Sequence, residues 1–226
     1  MQYEWILFDA DETLFSFDAE AGLRHMFAQL GYHFGVEDFA AYQAVNKPLW
    51  VAYQDGQITA AQLQTERFTP WADKLKVTAA ELNSRFLASM ADICAPLPGA
   101  RELVEALHGR VNLGIITNGF TELQQVRLQR TGLAHAFSTL VISEQVGVAK
   151  PDKAIFEHAF SLMGQPDKQR VLMVGDNPHS DILGGLNAGI HTCWINARQE
   201  PAPAGIAPHY QVQNLFELKA LLQPSA

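Results

Sequence analysis

The chain has 226 residues, a formal net charge of −8, 48% hydrophobic residues and 18% charged residues. This length and composition predict a soluble globular protein with one domain, or with one domain that carries an insertion. The acidic balance argues against a nucleic-acid polymer as partner, because such binding depends on many Lys and Arg side chains that neutralise phosphates.

The amino terminus and the apolar runs give no sign of export or membrane insertion. Glu4 and Asp9 lie where a secretory signal needs basic residues followed by an unbroken apolar stretch. No apolar run approaches the roughly 18 residues that a membrane helix requires. Cys94 and Cys193 are too few for a cluster of metal ligands. We therefore expect a cytoplasmic protein without a membrane partner.

The first element is predicted to be a buried strand that ends at a pair of carboxylates. The apolar run Trp5-Ile6-Leu7-Phe8 is followed by Asp9 and, two residues later, by Asp11. Because side chains alternate in direction along extended backbone, both carboxylates are expected to point the same way. Such a pair can divide nucleophilic and acid/base roles between its members.

Residues 16–95 are typical of a helical insertion, with little strand signal. Thr59 and Thr78 are each followed three residues later by Gln or Glu, a spacing that predicts capping boxes and helix starts. Earlier helices are predicted over residues 18–30 and 38–53. Pro48 is expected to bend or split the second of these, because proline removes a helical hydrogen bond.

From residue 96 onward, apolar runs alternate with helical segments, which predicts a parallel sheet covered by helices. The predicted strands are 112–116, 139–142, 171–174, 191–195 and a weak edge strand, 210–212. The predicted helices are 100–107, 121–130, 153–163 and 215–222, with a surface loop over 199–208. The fold class predicted is α/β, with a three-layer Rossmann-like parallel sheet core. Residues 1–15 and 96–226 form this core, and residues 16–95 form an inserted all-helical cap.

Three further polar segments occur along the predicted sheet. Thr117-Asn118-Gly119 follows the second strand, and Gly175-Asp176 follows strand 171–174, with Asp181 five positions further on. Lys150-Pro151 lies between these two segments. Because parallel strands bring their carboxyl ends to one edge of a sheet, we expect all three segments to share a crevice with the first carboxylate pair.

The ordered set of four motifs resembles the haloacid dehalogenase superfamily, in its phosphatase branch. The motifs occur between residues 5 and 181, in predicted strand contexts. The resemblance implies that the helical insertion is a cap that governs substrate specificity, that Asp9 is the nucleophile and that Asp11 is the acid/base. A carboxylate at position 11 favours phosphoester cleavage, since a halide leaving group needs no proton.

The resemblance also implies Mg²⁺ as cofactor, with Mn²⁺ or Co²⁺ as substitutes. A hard cation would offset the repulsion between a carboxylate nucleophile and a phosphate dianion. The implied metal ligands are Asp9, Asp176 and the backbone carbonyl of Asp11. The implied phosphate-binding groups are Thr117, the backbone of Asn118, and Lys150, with Asp181 supporting a metal-bound water or Lys150. Pro178 departs from the pattern, because it removes a backbone donor from the fourth motif.

Residues 42–50 and 117–126 resemble the pyrimidine nucleotidases of this superfamily. That resemblance implies hydrolysis of pyrimidine nucleoside monophosphates such as UMP, dUMP, dTMP and non-canonical analogues. Asn46 and Trp50 are four residues apart, so they could offer a hydrogen-bonding edge and a stacking ring to a base, with Arg67 beyond them. A sugar-phosphate phosphatase, a phosphomutase and a non-catalytic nucleotide-binding protein stay open as alternatives. The sequence carries no signal for the oligomeric state.

Overall fold

A computed structural model of the protein describes residues 2–222. The strands are β1 (Trp5–Phe8), β2 (Asn112–Thr117), β3 (Thr139–Ile142), β4 (Val171–Gly175), β5 (His191–Ile195) and β6 (Tyr210–Val212). They form one parallel sheet with the order β3-β2-β1-β4-β5-β6. The predicted α/β fold class with a Rossmann-like parallel sheet is therefore confirmed.

Helices connect and cover these strands. The helices are α1 (Ala19–Gln29), α2 (Val36–Gln54), α3 (Ala60–Glu66), α4 (Thr69–Leu75), α5 (Ala79–Ile93), α6 (Ala100–Leu107), α7 (Thr121–Arg130), α8 (Ser143–Val146), α9 (Lys153–Leu162), α10 (Leu183–Ala188) and α11 (Leu215–Leu222). Within residues 2–222, no helix is long and apolar enough to cross a membrane.

The strand order determines where a ligand crevice is expected. β1 pairs with β2 on one side and with β4 on the other, so the direction in which strands are added reverses between β1 and β4. Open α/β sheets bind ligands outside the carboxyl ends of their strands at such a switch point. Asp9 directly follows β1 and Asp176 directly follows β4. Both carboxylates therefore emerge at the same point of the sheet.

The strand that carries Asp9 is buried along its whole length. All residues of β1 are buried, as expected for a central parallel strand that is covered on both faces. Trp5 and Leu7 belong to an apolar cluster with Phe156 and Phe160 of α9. Close packing of this kind permits little backbone movement. Packing of β1 in the core therefore restricts the movement of the backbone at Asp9.

The chain divides into two compact units, and one contains the whole sheet. It comprises the described residues of Met1–Ser16, Ala95–Gly119 and Thr131–Ala226. The other unit is helical and comprises Phe17–Cys94 and Phe120–Arg130. The assignment of a catalytic core to residues 1–15 and 96–226 and of a specificity cap to residues 16–95 stays a prediction about function.

Helix α7 differs from the predicted division, because it groups with the helical unit. Leu123 and Leu128 are buried on one face of α7. Ser84 of α5 donates a hydrogen bond to Glu122 at 3.0 Å, and Arg130 forms an ion pair with Asp92 of α5. Packing against α5 therefore explains why α7 belongs with the helices.

Pro48 is expected to bend or split its helix, and the split does not occur. Helix α2 runs unbroken through Pro48. Pro48 and Ala44, whose carbonyl loses its helical partner, both lie on the exposed face, where water can satisfy that carbonyl. The helix also begins earlier than predicted, because the Asp38 carboxylate accepts the N–H of Gly35 at 2.9 Å and so caps the preceding turn.

Candidate active site

Lys150 lies at the centre of a polar cluster in the sheet unit. Its side chain is 1% exposed, and its ammonium group donates to Asp9 Oδ1 at 2.6 Å, to Asp181 Oδ1 at 2.7 Å and to the carbonyl of Ile116 at 2.7 Å. These bonds use all three ammonium protons. Burial alone lowers the pKa of Lys150, but the carboxylates of Asp181 and Asp9 outweigh it and hold that pKa above its usual value. Lys150 is thus a fixed, buried cation.

Three carboxylates beside Lys150 lie close enough to one another to bind a single metal ion. Asp9, Asp176 and Asp181 each offer one oxygen, and these atoms lie within 4.8 Å of one another. Burial raises the pKa of Asp9 to about 7 against the opposing charge of Lys150, and the charge of Asp181 adds to the rise. Burial also raises the pKa of Asp176 to about 8, with contributions from Asp181 and Asp9. The cluster therefore holds more negative charge than one lysine offsets.

Asp9 is oriented by a single side-chain donor. Among the described residues, only Lys150 donates to its carboxylate, and it does so at Oδ1. The backbone N–H of Asp9 donates to the carbonyl of Val174 at 2.8 Å, which extends the pairing of β1 with β4. With its side chain 12% exposed, Asp9 keeps Oδ2 available for a ligand. A carboxylate with one held oxygen and one available oxygen suits a nucleophile.

Asp11 lies in the turn after β1. It is partly exposed, and its backbone forms an isolated bridge with Phe15. The carbonyl of Ala10 accepts the N–H groups of Leu14 and Phe15, both at 3.0 Å. A closed turn of this kind supports Asp11 two residues beyond Asp9. Its predicted acid/base and metal-binding roles stay predictions.

Asp181 accepts hydrogen bonds at both of its carboxylate oxygens. It is 1% exposed. Besides Lys150, its Oδ1 accepts the hydroxyl of Ser180 at 3.1 Å, and its Oδ2 accepts the N–H of Asn177 at 3.0 Å. A Cβ at Gly175 would overlap this carboxylate, so glycine is needed there to admit it. Asp181 therefore holds both Lys150 and the loop that follows β4.

Pro178 is accommodated without a lost hydrogen bond. It occupies the first position of a π-helical turn, Pro178–Ile182, where a backbone N–H would have no helical acceptor. Asn177 caps this turn, because its side-chain oxygen accepts the N–H groups of His179 at 2.9 Å and Ser180 at 3.2 Å. His179 is exposed. Pro178 differs from the family motif, but at the first position of this turn it costs no backbone hydrogen bond.

Thr117 and Asn118 have different surroundings. Thr117 ends β2 and is 1% exposed. Among the described residues its hydroxyl makes one hydrogen bond, accepting the N–H of Gly119 at 3.0 Å, which leaves the O–H to donate to a ligand. The Asn118 amide instead holds the backbone of Lys150, donating to its carbonyl at 2.9 Å and accepting its N–H at 2.8 Å. This clamp was not predicted from the sequence.

Arg67 lies in the interior of the helical unit. It is 2% exposed, and its guanidinium donates to Asn83 Oδ1, at 3.0 Å from Nε. The same group lies 5.1 Å from the ring centroids of Phe86 and Phe120. Buried cations are stabilised by hydrogen bonds and aromatic faces of this kind. These contacts hold the guanidinium group inside the helical unit, and the substrate contact predicted for Arg67 stays a prediction.

Asn46 and Trp50 are more accessible within the same unit. Both are partly exposed. Asn46 Oδ1 accepts the hydroxyl of buried Tyr42 at 3.3 Å, and the Trp50 ring lies 5.4 Å from that of Phe120. Phe120 directly follows the Thr117-Asn118-Gly119 motif in the chain. Asn46 and Trp50 stay candidates for contact with a base.

Two cavities in the sheet unit have different relations to this cluster. The larger, of about 620 Å³, is lined by the amino ends of strands and by loops that include His108 and His135, and it contains none of the predicted site residues. The smaller, of about 240 Å³, is lined by Asp176, Glu12 and Trp194, among others. The smaller cavity is therefore the better candidate for a ligand site, because it is lined by Asp176 of the carboxylate cluster, whereas the larger cavity contains no predicted site residue.

Thr13, the last residue of the first motif Asp9-Ala10-Asp11-Glu12-Thr13, and Trp194, which belongs to no motif, both support Asp176. The Thr13 hydroxyl accepts the N–H of Asp176 at 3.1 Å and donates to its Oδ1 at 3.3 Å. The indole N–H of Trp194 donates to the carbonyl of Asp176 at 2.8 Å. The hydrogen bond from Trp194 could not be predicted from the sequence, because Trp194 lies in β5 and Asp176 follows β4, and the sequence does not show that these strands are neighbours.

Comparison with known proteins agrees with this geometry. The profile of the haloacid dehalogenase-like hydrolase family matches residues 3–189, so the chain belongs to that family and is a hydrolase. Pyrimidine 5′-nucleotidase YjjG of Escherichia coli (strain K12) is 58% identical over 222 residues, which cover 98% of this chain and 99% of that protein. Pyrimidine 5′-nucleotidase PynA of Streptococcus pneumoniae is 33% identical, covering 96% and 92%.

A solved structure is similar over the same extent. The putative hydrolase YfnB of Bacillus subtilis, crystallised with magnesium bound, is 30% identical and superposes with a TM-score of 0.83. The match covers 97% of this chain and 98% of that one. The family resemblance drawn from the four motifs is therefore confirmed over nearly the whole chain.

Proposed function

We propose that the protein is a Mg²⁺-dependent 5′-nucleotidase that removes the phosphate from pyrimidine nucleoside monophosphates. The observation that carries this proposal is the cluster in which Lys150 joins Asp9 to Asp181 beside Asp176. Its charges suit phosphoryl transfer, which depends mainly on positioning and charge stabilisation. The two nucleotidase relatives, similar from end to end, support a pyrimidine nucleotide as substrate.

The donor set of the cluster fits a hard divalent cation. Carboxylate oxygens are the ligands that Mg²⁺ prefers. Burial, with added repulsion among Asp9, Asp176 and Asp181, keeps the pKa values of Asp9 and Asp176 high, and a bound cation would offset that repulsion. Asp9, Asp176 and the backbone carbonyl of Asp11 would hold the ion, with Asp181 behind them. When bound, the ion supplies a positive charge that lets an anionic nucleophile and a phosphate dianion approach each other.

In the first step, Asp9 acts as the nucleophile. Its available carboxylate oxygen attacks phosphorus, and the bond between phosphorus and the 5′-oxygen of the nucleotide breaks. Protonated Asp11 donates its proton to that leaving oxygen, so the nucleoside departs as a neutral alcohol. The phosphoryl group stays on Asp9 as an aspartyl-phosphate. Thr117 donates a hydrogen bond to the phosphoryl oxygens, and Lys150 offsets their charge.

In the second step, the phosphoryl group passes to water. Ionised Asp11 takes a proton from a water molecule as that water attacks phosphorus, and the bond between phosphorus and the Asp9 oxygen breaks. Inorganic phosphate leaves, Asp9 regains its carboxylate and Asp11 regains its proton. The two steps together consume one water per nucleotide.

Recognition of the base belongs, in this proposal, to the helical unit. Trp50 is a partly exposed aromatic ring, and Asn46 carries an amide with both donor and acceptor groups. The 58% identity to the nucleotidase YjjG covers this part of the chain as well. We therefore propose that Asn46 and Trp50 contact the pyrimidine ring.

Phosphate release from a substrate panel tests the proposed function. We expect UMP, dUMP and dTMP to be hydrolysed faster than AMP and GMP, with activity lost in EDTA and restored by Mg²⁺. A preference for sugar phosphates would favour a sugar-phosphate phosphatase, and phosphate migration without release would favour a phosphomutase. Tight nucleotide binding without turnover would favour a binding protein. Each of these three outcomes contradicts the proposal.

Thr117→Val is expected to reduce kcat by about 10²- to 10³-fold, because it removes a donor to the phosphoryl oxygens while preserving side-chain volume. Steady-state kinetics at saturating Mg²⁺ measures this effect. The matched control is Thr117→Ser, which keeps the hydroxyl and should stay within about 10-fold of wild type. Comparable rates for the valine and serine variants would remove Thr117 from the proposed mechanism.

The stabilisation by Mg²⁺ is expected to be larger at pH 8 than at pH 6. The folded-state pKa values of Asp9 and Asp176, about 7 and about 8, lie above the value of 3.8 for a free side chain. Each group therefore favours the folded state at acidic pH, and that contribution is lost as the pH rises from about 4 to about 8. A bound cation compensates the ionised carboxylates, and it competes with protons at lower pH.

Thermal unfolding in Mg²⁺ and in EDTA at the two pH values measures this difference. The rise in Tm caused by Mg²⁺ should be clear at pH 8 and smaller at pH 6. An equal or greater rise at pH 6 would show that the ion does not bind at these carboxylates.

A further inference from the structure

The carboxylate of Asp176 is held through both peptide groups that flank its Cα. Its N–H donates to Thr13 Oγ1 at 3.1 Å, and its carbonyl accepts the indole N–H of Trp194 at 2.8 Å. Thr13 is fully buried and Trp194 is 3% exposed, so neither hydrogen bond competes strongly with water. These two contacts restrict the backbone from which the carboxylate projects.

Trp194 reaches Asp176 because of the register of the sheet. β4 and β5 pair in parallel, with Gly175 opposite Trp194. Asp176 is the next residue after Gly175, so the indole lies beside the first peptide group beyond the end of β4. Trp194 in β5 thus hydrogen-bonds the backbone of Asp176, the first residue after β4. Trp194 belongs to none of the four motifs.

Electrostatics makes such a restraint necessary. One oxygen of Asp176 lies within 4.8 Å of one oxygen of Asp9 and one of Asp181, and like charges at that distance repel each other. A loop without restraint would relax so that Asp176 moves away from the other two carboxylates. That movement would spread the ligands of a cation apart. A fixed peptide group opposes it.

We propose that Trp194 is a positioning residue that maintains Asp176 in the cation-binding arrangement. This inference deepens the proposed function and rests on it, because it assumes that Asp176 binds the Mg²⁺ ion. Partners that orient metal ligands typically contribute 10- to 100-fold to metal affinity. Because Trp194 acts on the backbone of the ligand residue, the effect belongs at the lower end of that range, about 10-fold.

The test compares Trp194→Phe with Trp5→Phe. Both variants remove a buried indole from the same sheet, but Trp5 begins β1, at the end remote from Asp9, and makes no hydrogen bond to a site residue among those described. Tm is measured across a Mg²⁺ titration for each protein. For Trp194→Phe we expect half-maximal stabilisation to require about 10-fold more Mg²⁺ than in wild type. For Trp5→Phe we expect a lower Tm with an unchanged Mg²⁺ dependence.

The possible results separate the two proposals. If wild-type Tm does not respond to Mg²⁺, the cation site of the proposed function fails, and this inference fails with it. If wild type responds and Trp194→Phe has the same Mg²⁺ dependence, the inference alone is overturned. The inference is also overturned if Trp194→Phe and Trp5→Phe need equally more Mg²⁺ for half-maximal stabilisation, because the effect would then reflect general packing.

If Trp194→Phe does not fold, NMR spectroscopy of the wild-type protein tests the same inference. Wild-type protein labelled with ¹⁵N-tryptophan gives one indole signal for each of Trp5, Trp50, Trp71 and Trp194. The Trp194 signal is identified by elimination, using phenylalanine variants of the other three. We expect Mg²⁺ to shift the Trp194 signal and to slow its exchange with solvent, while the Trp5 signal stays in place. A Trp194 signal that does not respond to saturating Mg²⁺ would overturn the inference.

Discussion

Asp9→Asn is expected to lower kcat by about 10⁴-fold or more, because it removes the nucleophile on which both proposed steps depend. The amide can still accept a hydrogen bond from Lys150, which donates to Asp9 Oδ1 at 2.6 Å. The fold should therefore persist while catalysis is lost. Initial rates of phosphate release at saturating Mg²⁺ and nucleotide measure the effect, and a thermal melt of the same sample verifies folding.

Asp9→Glu separates the charge of this residue from its position. Glutamate keeps the carboxylate but moves it by about one carbon–carbon bond. A displacement of about 1 Å in a reacting group can cost about 10²-fold, so we expect this variant to be strongly impaired as well. Activity near wild type in either variant would show that Asp9 is not the nucleophile. Because asparagine can deamidate to aspartate, slowly recovering activity in Asp9→Asn should match the fraction of aspartate found by mass spectrometry.

The elements of the sheet could be predicted because each rests on a local pattern. The strands Trp5–Phe8, Thr139–Ile142 and His191–Ile195 have the predicted bounds. Each is a short run rich in apolar, aromatic and β-branched residues, and burial on both faces of a parallel sheet favours such runs. The same logic located the polar motifs at strand ends. Parallel strand direction then predicts that those motifs share one edge of the sheet.

Contacts between distant segments could not be predicted in the same way. The Asn118 amide holds the Lys150 backbone, and Trp194 holds the Asp176 carbonyl. Both depend on which strands are neighbours and on their register, and no local pattern encodes either. The burial of Arg67 is similar, since an arginine in a sequence is expected at the surface unless its partners are known. Long-range pairing thus accounts for most of what sequence reasoning missed.

Lys150→Met is expected to destabilise the protein by about 3–5 kcal/mol at pH 8 and to abolish measurable turnover. The ammonium group is 1% exposed and bonds both Asp9 and Asp181, so its removal leaves two buried carboxylates without a cation. Methionine has a similar length and fills the apolar part of the space. Urea unfolding in EDTA at pH 8 measures the loss without interference from a bound ion.

Two comparisons identify the uncompensated charge as the cause. The destabilisation should shrink at pH 5, because removing Lys150 further raises the pKa of Asp9, whose burial already disfavours ionisation, and a protonated Asp9 needs no cation. The double variant Lys150→Met/Asp181→Asn should be more stable than Lys150→Met at pH 8, since it removes one of the two stranded charges. A loss that is equal at both pH values, and equal with Asp181 replaced, would instead indicate a packing defect. In that case Lys150 would not be the charge on which this carboxylate cluster depends.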